Sequence, residues 1–310
     1  MSPAREGIHR APRSGPSLLA PAAIVLVCAT LLWLVVSGNR ADPTPFGAAA
    51  TTTAAPPESP EPTLPPSHTP GPTPTETALA AALPEITGNL SVAVLDPTAD
   101  TLVTYNADRP YVTASIVKVD ILATLLLQAQ QANRTLTDTE RSTAAAMIET
   151  SDNDAADTLW SAIGGAAGLR TANTTLGLTD TEPTGLSWGL TRTTAGDQVR
   201  LLDAITAADS PLDAASRAYL ADLMTSVQAD QTWGVSTAAD PGTTPALKNG
   251  WLPRDATGLW VINSIAHITH TGHPLLIAIL SDNQPSMPAG ITQLESAAQA
   301  AVSAAAGTSP

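Results

Sequence analysis

Residues 115–132 read SIVKVDILATLLLQAQQA. Ile116, Val117, Val119, Ile121, Leu122, Leu125, Leu126 and Leu127 leave almost no helix face polar, and a helix that is apolar all round belongs at the centre of a domain. Ser115 stands at its start, and Lys118 follows three residues on, so the two share a helix face. Burial removes the water that favours a charged ammonium and lowers its pKa. A neutral amine beside a serine can take the hydroxyl proton, the serine–lysine route to an activated nucleophile. The N-terminal end of the helix also favours negative charge developing at Ser115.

Lysine usage sharpens this reading. The chain has 14 Lys plus Arg, and only Lys118 and Lys248 are lysine. A guanidinium effectively never loses its proton, so a chain biased to arginine keeps lysine where the amine must titrate. Lys248 opens Lys248-Asn249-Gly250-Trp251 at the end of a short strand. Glycine there lets a substrate backbone approach the strand edge, and the lysine offers a cation to a carboxylate. A third group, Ser151-Asp152-Asn153, falls between two helical stretches. Asn153 can hold a substrate amide and Ser151 can shuttle a proton, although Ser, Asp and Asn are also ordinary helix-capping residues.

The surrounding pattern is α/β. Leu90–Asp96 and Thr101–Tyr105 read as a strand pair turned at Asp96-Pro97. Thr137–Thr150, with Thr137 and Glu140 at capping-box spacing, Asn153–Ile163, Thr194–Thr206 and Pro211–Val227 read as helices. Ala246–Asn249, Leu259–Thr269 and Pro274–Ser281 read as strands, the last two turned at Thr271-Gly272. Ile291–Ala306 reads as a closing helix. His267, His270 and His273 read as surface hairpin residues rather than metal ligands, because 267 and 270 point to opposite faces of a strand.

The first part of the chain differs in kind. Leu18–Val36 is uncharged and apolar, and its 19 residues would span about 28 Å as a helix. Arg5, Arg10 and Arg13 precede it and only Arg40 follows closely, which orients residues 1–17 to the cytoplasm and the remainder outside. An uncleaved signal-anchor over 18–36 is expected; a secreted protein, cleaved near Val36 and Gly38, is the alternative. The one cysteine, Cys28, lies within this run, so the chain has no intrachain disulfide. Residues 37–78, rich in Pro and Thr, read as an extended linker reaching on the order of 100 Å. Residues 79–310 read as the globular domain. The net charge of −14 argues against a nucleic-acid partner, which needs basic patches.

The order Ser-x-x-Lys, Ser-Asp-Asn, Lys-x-Gly resembles the penicillin-recognising serine hydrolases, the class A β-lactamases and penicillin-binding proteins. The run from Tyr105 through Arg109-Pro110-Tyr111 to Ser115 is similar to the class A approach to the nucleophile. Leu190-Thr-Arg-Thr-Thr194 is similar to the segment that closes its omega loop. The likeness covers about residues 79–307. It implies a β-lactamase/transpeptidase-like α/β fold: an antiparallel sheet formed by N- and C-terminal strands, with an inserted all-helical region. It also implies roles. Ser115 would be acylated by a β-lactam or related amide, and Lys118 would accept or relay its proton. Ser151 and Asn153 would line the cleft, and Lys248 would steer a substrate carboxylate. Asn249, Gly250 and Trp251 would border the substrate, with the Ser115 and Trp251 N–H groups as an oxyanion hole. No cofactor and no metal are implied, and a monomer tethered to the membrane is expected.

Three departures qualify the resemblance. The stretch from Lys118 to Ser151 is shorter than usual. Asn249 replaces the Thr or Ser of the third motif, keeping hydrogen-bonding capacity. The deacylating omega-loop glutamate has one counterpart, Glu182, the only glutamate between Ser151 and Lys248. Its Glu182-Pro183 pair fits, but Thr184-Gly185-Leu186 follows instead of Leu-Asn, and only ten residues separate it from Thr193. Three functions follow from these expectations: a β-lactam hydrolase using Glu182, a peptidoglycan carboxypeptidase or penicillin-binding protein with slow deacylation, or a non-enzymatic cell-wall-binding module.

Overall fold

The computed structural model describes residues 73–185 and 187–306. The expected signal-anchor at 18–36, Cys28 and most of the linker lie outside the described residues. No described helix is long and apolar enough to cross a membrane.

Seven strands and eight α-helices make up the described chain's main elements, the helices falling largely between β3 and β5. β1 (Asn89–Asp96) and β2 (Thr101–Tyr105) pair antiparallel, with Val94 opposite Val103. β3 (Tyr111–Val112) and β4 (Arg192–Thr193) form a two-stranded ribbon. β5 (Ala246–Pro253), β6 (Trp260–His270) and β7 (His273–Gln284) complete a five-stranded antiparallel sheet in the order β2-β1-β7-β6-β5. The N-terminal strands thus join the C-terminal ones through β1 and β7, with Ala93 opposite Ala278. The β6–β7 turn at Thr271-Gly272 has φ of 49° and 80°, the left-handed pair that a tight hairpin requires. His270 and His273 flank it as expected, whereas His267 is half-buried opposite Leu276, and burial lowers its pKa.

Helices cover both faces. On one, α8 (Met287–Ala306) and α1 (Pro74–Ala82) pack against Val92, Val94, Ile277 and Ile279. On the other lie the inserted helices α2 (Val117–Gln131), α3 (Asp138–Glu149), α4 (Asn153–Ala162), α5 (Gly165–Leu176), α6 (Ala195–Thr206) and α7 (Ala214–Thr225). α2 is buried on every face from Val117 to Leu127, as its composition demands. The Thr137–Glu140 capping box forms with both of its hydrogen bonds.

Two helices depart from the sequence reading. α1 crosses the expected linker–domain boundary at 78/79. Thr73 and Glu76 make a second capping box, Pro74 occupies the first turn, and Leu79 is fully buried. The globular unit therefore includes Thr73. α5 falls in a stretch, beginning Gly164-Gly165-Ala-Ala-Gly168, to which the sequence reading assigns no element. Gly168 is the reason a helix fits: a Cβ there would lie 1.7 Å from the Ile163 carbonyl oxygen, so the glycine permits close helix packing while Leu169, Ala172 and Leu176 bury the inner face.

The nucleophile region is held from the sheet. A 3-10 turn, Ala114–Ile116, carries Ser115 into α2. Asn263 on β6 donates through its amide to Val112 O (2.9 Å) and Thr113 O (3.0 Å). β5 runs beside the same turn, and a Cβ on Gly250 would lie 2.8 Å from both Ser115 N and Thr113 O and 2.9 Å from Ile116 N. All three are backbone atoms that cannot swing aside. Gly250→Ala should therefore destabilise the protein by about 1–3 kcal/mol, the usual range for overpacking, read as a lower urea midpoint. An unchanged midpoint would contradict this close approach.

Candidate active site

Three segments converge at the start of α2. The α3–α4 connection supplies Ser151, whose φ of 56° is left-handed, a conformation costly for a non-glycine residue and common at functional sites. Asp152 fixes the next helix by accepting from Ala155 N at 2.7 Å. Its role is that of the ordinary cap, while its neighbours turn inward.

Lys118 is buried and donates to Ser151 O (2.6 Å), Ser151 Oγ (3.1 Å) and Asn153 Oδ1 (2.9 Å). Lys248, also buried, reaches the same hydroxyl from β5, donating to Ser151 Oγ (3.0 Å) and Asn249 O (3.1 Å). One hydroxyl thus sits between the only two lysines of the chain. Burial brings Lys118 down to about 8 against the upward pull of Asp152 and Asp157. Burial, and then the charge of Lys118, bring Lys248 down to about 7. Two ammonium groups sharing one site disfavour each other's protons, so near neutral pH the pair can both give and take a proton.

Ser115 is half-buried and opens into a cleft of about 170 Å³ whose walls include Asn153, Trp188, Leu190, Trp251 and Leu252. Ser115, Asn153 and Trp251 are thereby brought together, and Asn153 links this cleft to Lys118, which shares the Ser151 hydroxyl with Lys248. Gly250 acts through the close approach described above. This arrangement can activate a hydroxyl, hand a proton from one amine to another through Ser151, and present backbone N–H groups to a carbonyl oxygen.

Two expected residues are elsewhere. Asn249 is buried and turned from the cleft. Its amide donates to Gln231 O (2.8 Å) and Trp233 O (2.9 Å), clamping the 231–233 segment to β5. Strand alternation sends it opposite to Lys248. Glu182 is absent from the cleft. Its backbone pairs with Arg192 in both directions (2.8 and 2.9 Å), so side chains alternate: Thr181 and Pro183 are buried and Glu182 is exposed. Thr181 Oγ1 donates to the buried Asp197 Oδ2 at 2.7 Å, fixing that register. Glu182 instead accepts from Arg170 at 2.5 Å, and that hydrogen bond holds its pKa below the usual carboxylate value. A general base acting near neutrality needs the opposite shift.

Two residues escape the sequence reading. Trp188 opens a 3-10 turn, Trp188–Leu190, and its ring lies 4.8 Å from Lys118 Nζ. A tryptophan in a Gly- and Ser-rich loop gives no periodic signal. Asp120, two residues past Lys118, is fully buried in α2. Burial raises its carboxyl to about 8, assisted by the charge of Asp197, and neither of its oxygens has a hydrogen-bond partner among the described residues. A single acid inside an apolar stretch was there to be seen.

An antiparallel sheet joined across the chain ends, a mostly helical insertion, a cleft that holds Ser115 and two buried lysines that share the Ser151 hydroxyl define the class of fold. The chain belongs to the β-lactamase enzyme family, whose model matches residues 74–144 and 137–305. Among solved structures, a β-lactamase from Burkholderia vietnamiensis is similar with a TM-score of 0.66 at 22% identity, over 78% of this chain and 100% of that one. A class A β-lactamase from Mycobacterium abscessus is similar with a TM-score of 0.61 at 20% identity, over 75% and 99%. At such identities the likeness is one of fold. The protein named "Putative lipoprotein LppW" in Mycobacterium tuberculosis is 32% identical over 173 residues, 53% of this chain and 54% of that protein; its Mycobacterium bovis counterpart matches equally. The chain thus spans about half the length of the curated relatives it matches.

The site geometry makes a prediction that does not depend on activity. With only two lysines, ¹³C-lysine labelling should give two side-chain signals. Their titrations should centre near 7 and 8, well below the ordinary lysine value of about 10.4. Two titrations above about 10 would contradict the burial of both amines.

Proposed function

We propose that this chain forms an acyl-enzyme on Ser115 with β-lactams and with peptidoglycan-derived amides, and releases the acyl group slowly. Ser115 Oγ attacks the carbonyl carbon while Lys118 accepts its proton. The N–H groups of Ser115 and Trp251 stabilise the oxyanion, a contribution of about 10²–10³ in rate per donor in comparable sites. Collapse of the tetrahedral adduct breaks the carbon–nitrogen bond, and the leaving nitrogen takes a proton through Ser151. Lys248 attracts the substrate carboxylate, Asn153 receives the substrate amide, and Glu182 has no part. The observation that carries this reading is the Ser151 hydroxyl held at 3.1 and 3.0 Å from the nitrogens of the two lysines. Slow release is supported by the outward-facing, arginine-paired Glu182.

We also infer a membrane-tethered, extracytoplasmic position. The arginine-flanked apolar run before residue 37 supports it, as does the relative named a lipoprotein.

Mass measurement of the full chain after brief exposure to benzylpenicillin tests the activity. The expected result is one penicilloyl group per chain, absent from Ser115→Ala, that outlasts removal of free penicillin. Rapid multiple turnover of a chromogenic cephalosporin without an accumulated adduct would overturn slow release. Neither adduct nor turnover would overturn acylation.

A further inference from the structure

Trp188 is fastened on two sides. Its indole Nε1 donates to Asp157 Oδ1 on α4 at 2.6 Å. The end of its turn is tied to the segment before Ser115, where Thr113 N donates to Thr191 O at 2.8 Å. Between these anchors the ring lies 4.8 Å over Lys118 Nζ and forms part of the wall facing Ser115. An ammonium has three N–H donors, and Lys118 has three acceptors within 3.1 Å: Ser151 O, Ser151 Oγ and Asn153 Oδ1. The aromatic face, which attracts a cation at this distance, lies against the same nitrogen.

We propose that Trp188 is a positioning residue that keeps water from the Lys118 amine and thereby sets the lifetime of the Ser115 ester. The inference rests on the acylation proposed above. Hydrolysis requires a water oxygen to bond to the ester carbonyl carbon while one of its protons passes to a base. The tetrahedral adduct then breaks its bond to Ser115 Oγ, which takes that proton back. With Glu182 turned outward, Lys118 is the amine beside the ester, and the indole occupies the approach a water would need to reach it. The ring therefore favours retention of the acyl group over its transfer to water.

The test uses the full chain, acylated with benzylpenicillin and freed of excess reagent, so that only loss of the adduct is followed. Trp188→Gly should shorten the adduct lifetime by about 10²-fold or more, the lower end of the range for gaining a general base. Its release rate should rise with pH and level off once Lys118 has lost its proton, whereas hydroxide attack on an ester in a merely loosened structure would rise without a plateau. Trp188→Phe keeps a ring over Lys118 and should retain a lifetime within about three-fold of the unaltered chain. An unchanged lifetime in Trp188→Gly, a pH-independent acceleration, or a Trp188→Phe adduct as short-lived as that of Trp188→Gly would each overturn the proposal. If Trp188→Gly fails to fold, Trp188→Ala removes the ring instead and leaves the backbone less free. It should shorten the lifetime, and no change would overturn the proposal. Absence of any adduct on the unaltered chain would instead remove the acylation reading on which this inference stands.

Discussion

The Ser151 hydroxyl, held between Lys118 and Lys248 at 3.1 and 3.0 Å, is the contact on which the rest of the site depends. Three distant parts of the chain meet there: the start of α2, the α3–α4 connection and β5. Burying two amines side by side is unfavourable unless their hydrogen bonds are satisfied and their charge is reduced. Both conditions hold, since each nitrogen has named acceptors and both pKa values fall toward neutrality. Arginine could not fill either position, because it cannot shed its proton.

The fold exists around this contact in a definite way. α2 is buried on all sides, so Lys118 cannot reach water by turning outward. β5 approaches the Ser115 turn closely enough that only glycine fits at 250, and Asn263 ties the preceding residues to the sheet. Asn249 clamps the 231–233 segment against β5. Each of these interactions limits the movement of one wall relative to another, which a preorganised site requires.

Much of this was legible in the sequence, and the limits are physical. The central helix announced itself through continuous apolar residues, and the strand pair and hairpin through alternation and turn chemistry. Ser115, Lys118, Ser151, Asn153 and Lys248 could be singled out because lysine is so scarce. Glu182 misled because a motif fixes residue identity, whereas its bridge to Arg192 fixes direction, and a single step along an extended segment reverses the side chain. Asn249 failed for the same reason. The α5 helix was hidden because Gly164 and Gly165 take the left-handed turn into it while Gly168 serves close packing, and Trp188 because its role depends on a loop path that no periodicity encodes.

The central claim is that an amine able to lose its proton activates Ser115. It is tested most directly by the rate at which a fluorescent penicillin labels Ser115 in the unaltered chain and in Lys118→Arg. The charge is retained in the variant but cannot be given up. The account predicts that labelling falls by about 10²-fold or more, the scale of a lost general base. Labelling within a few-fold of the unaltered rate would contradict it.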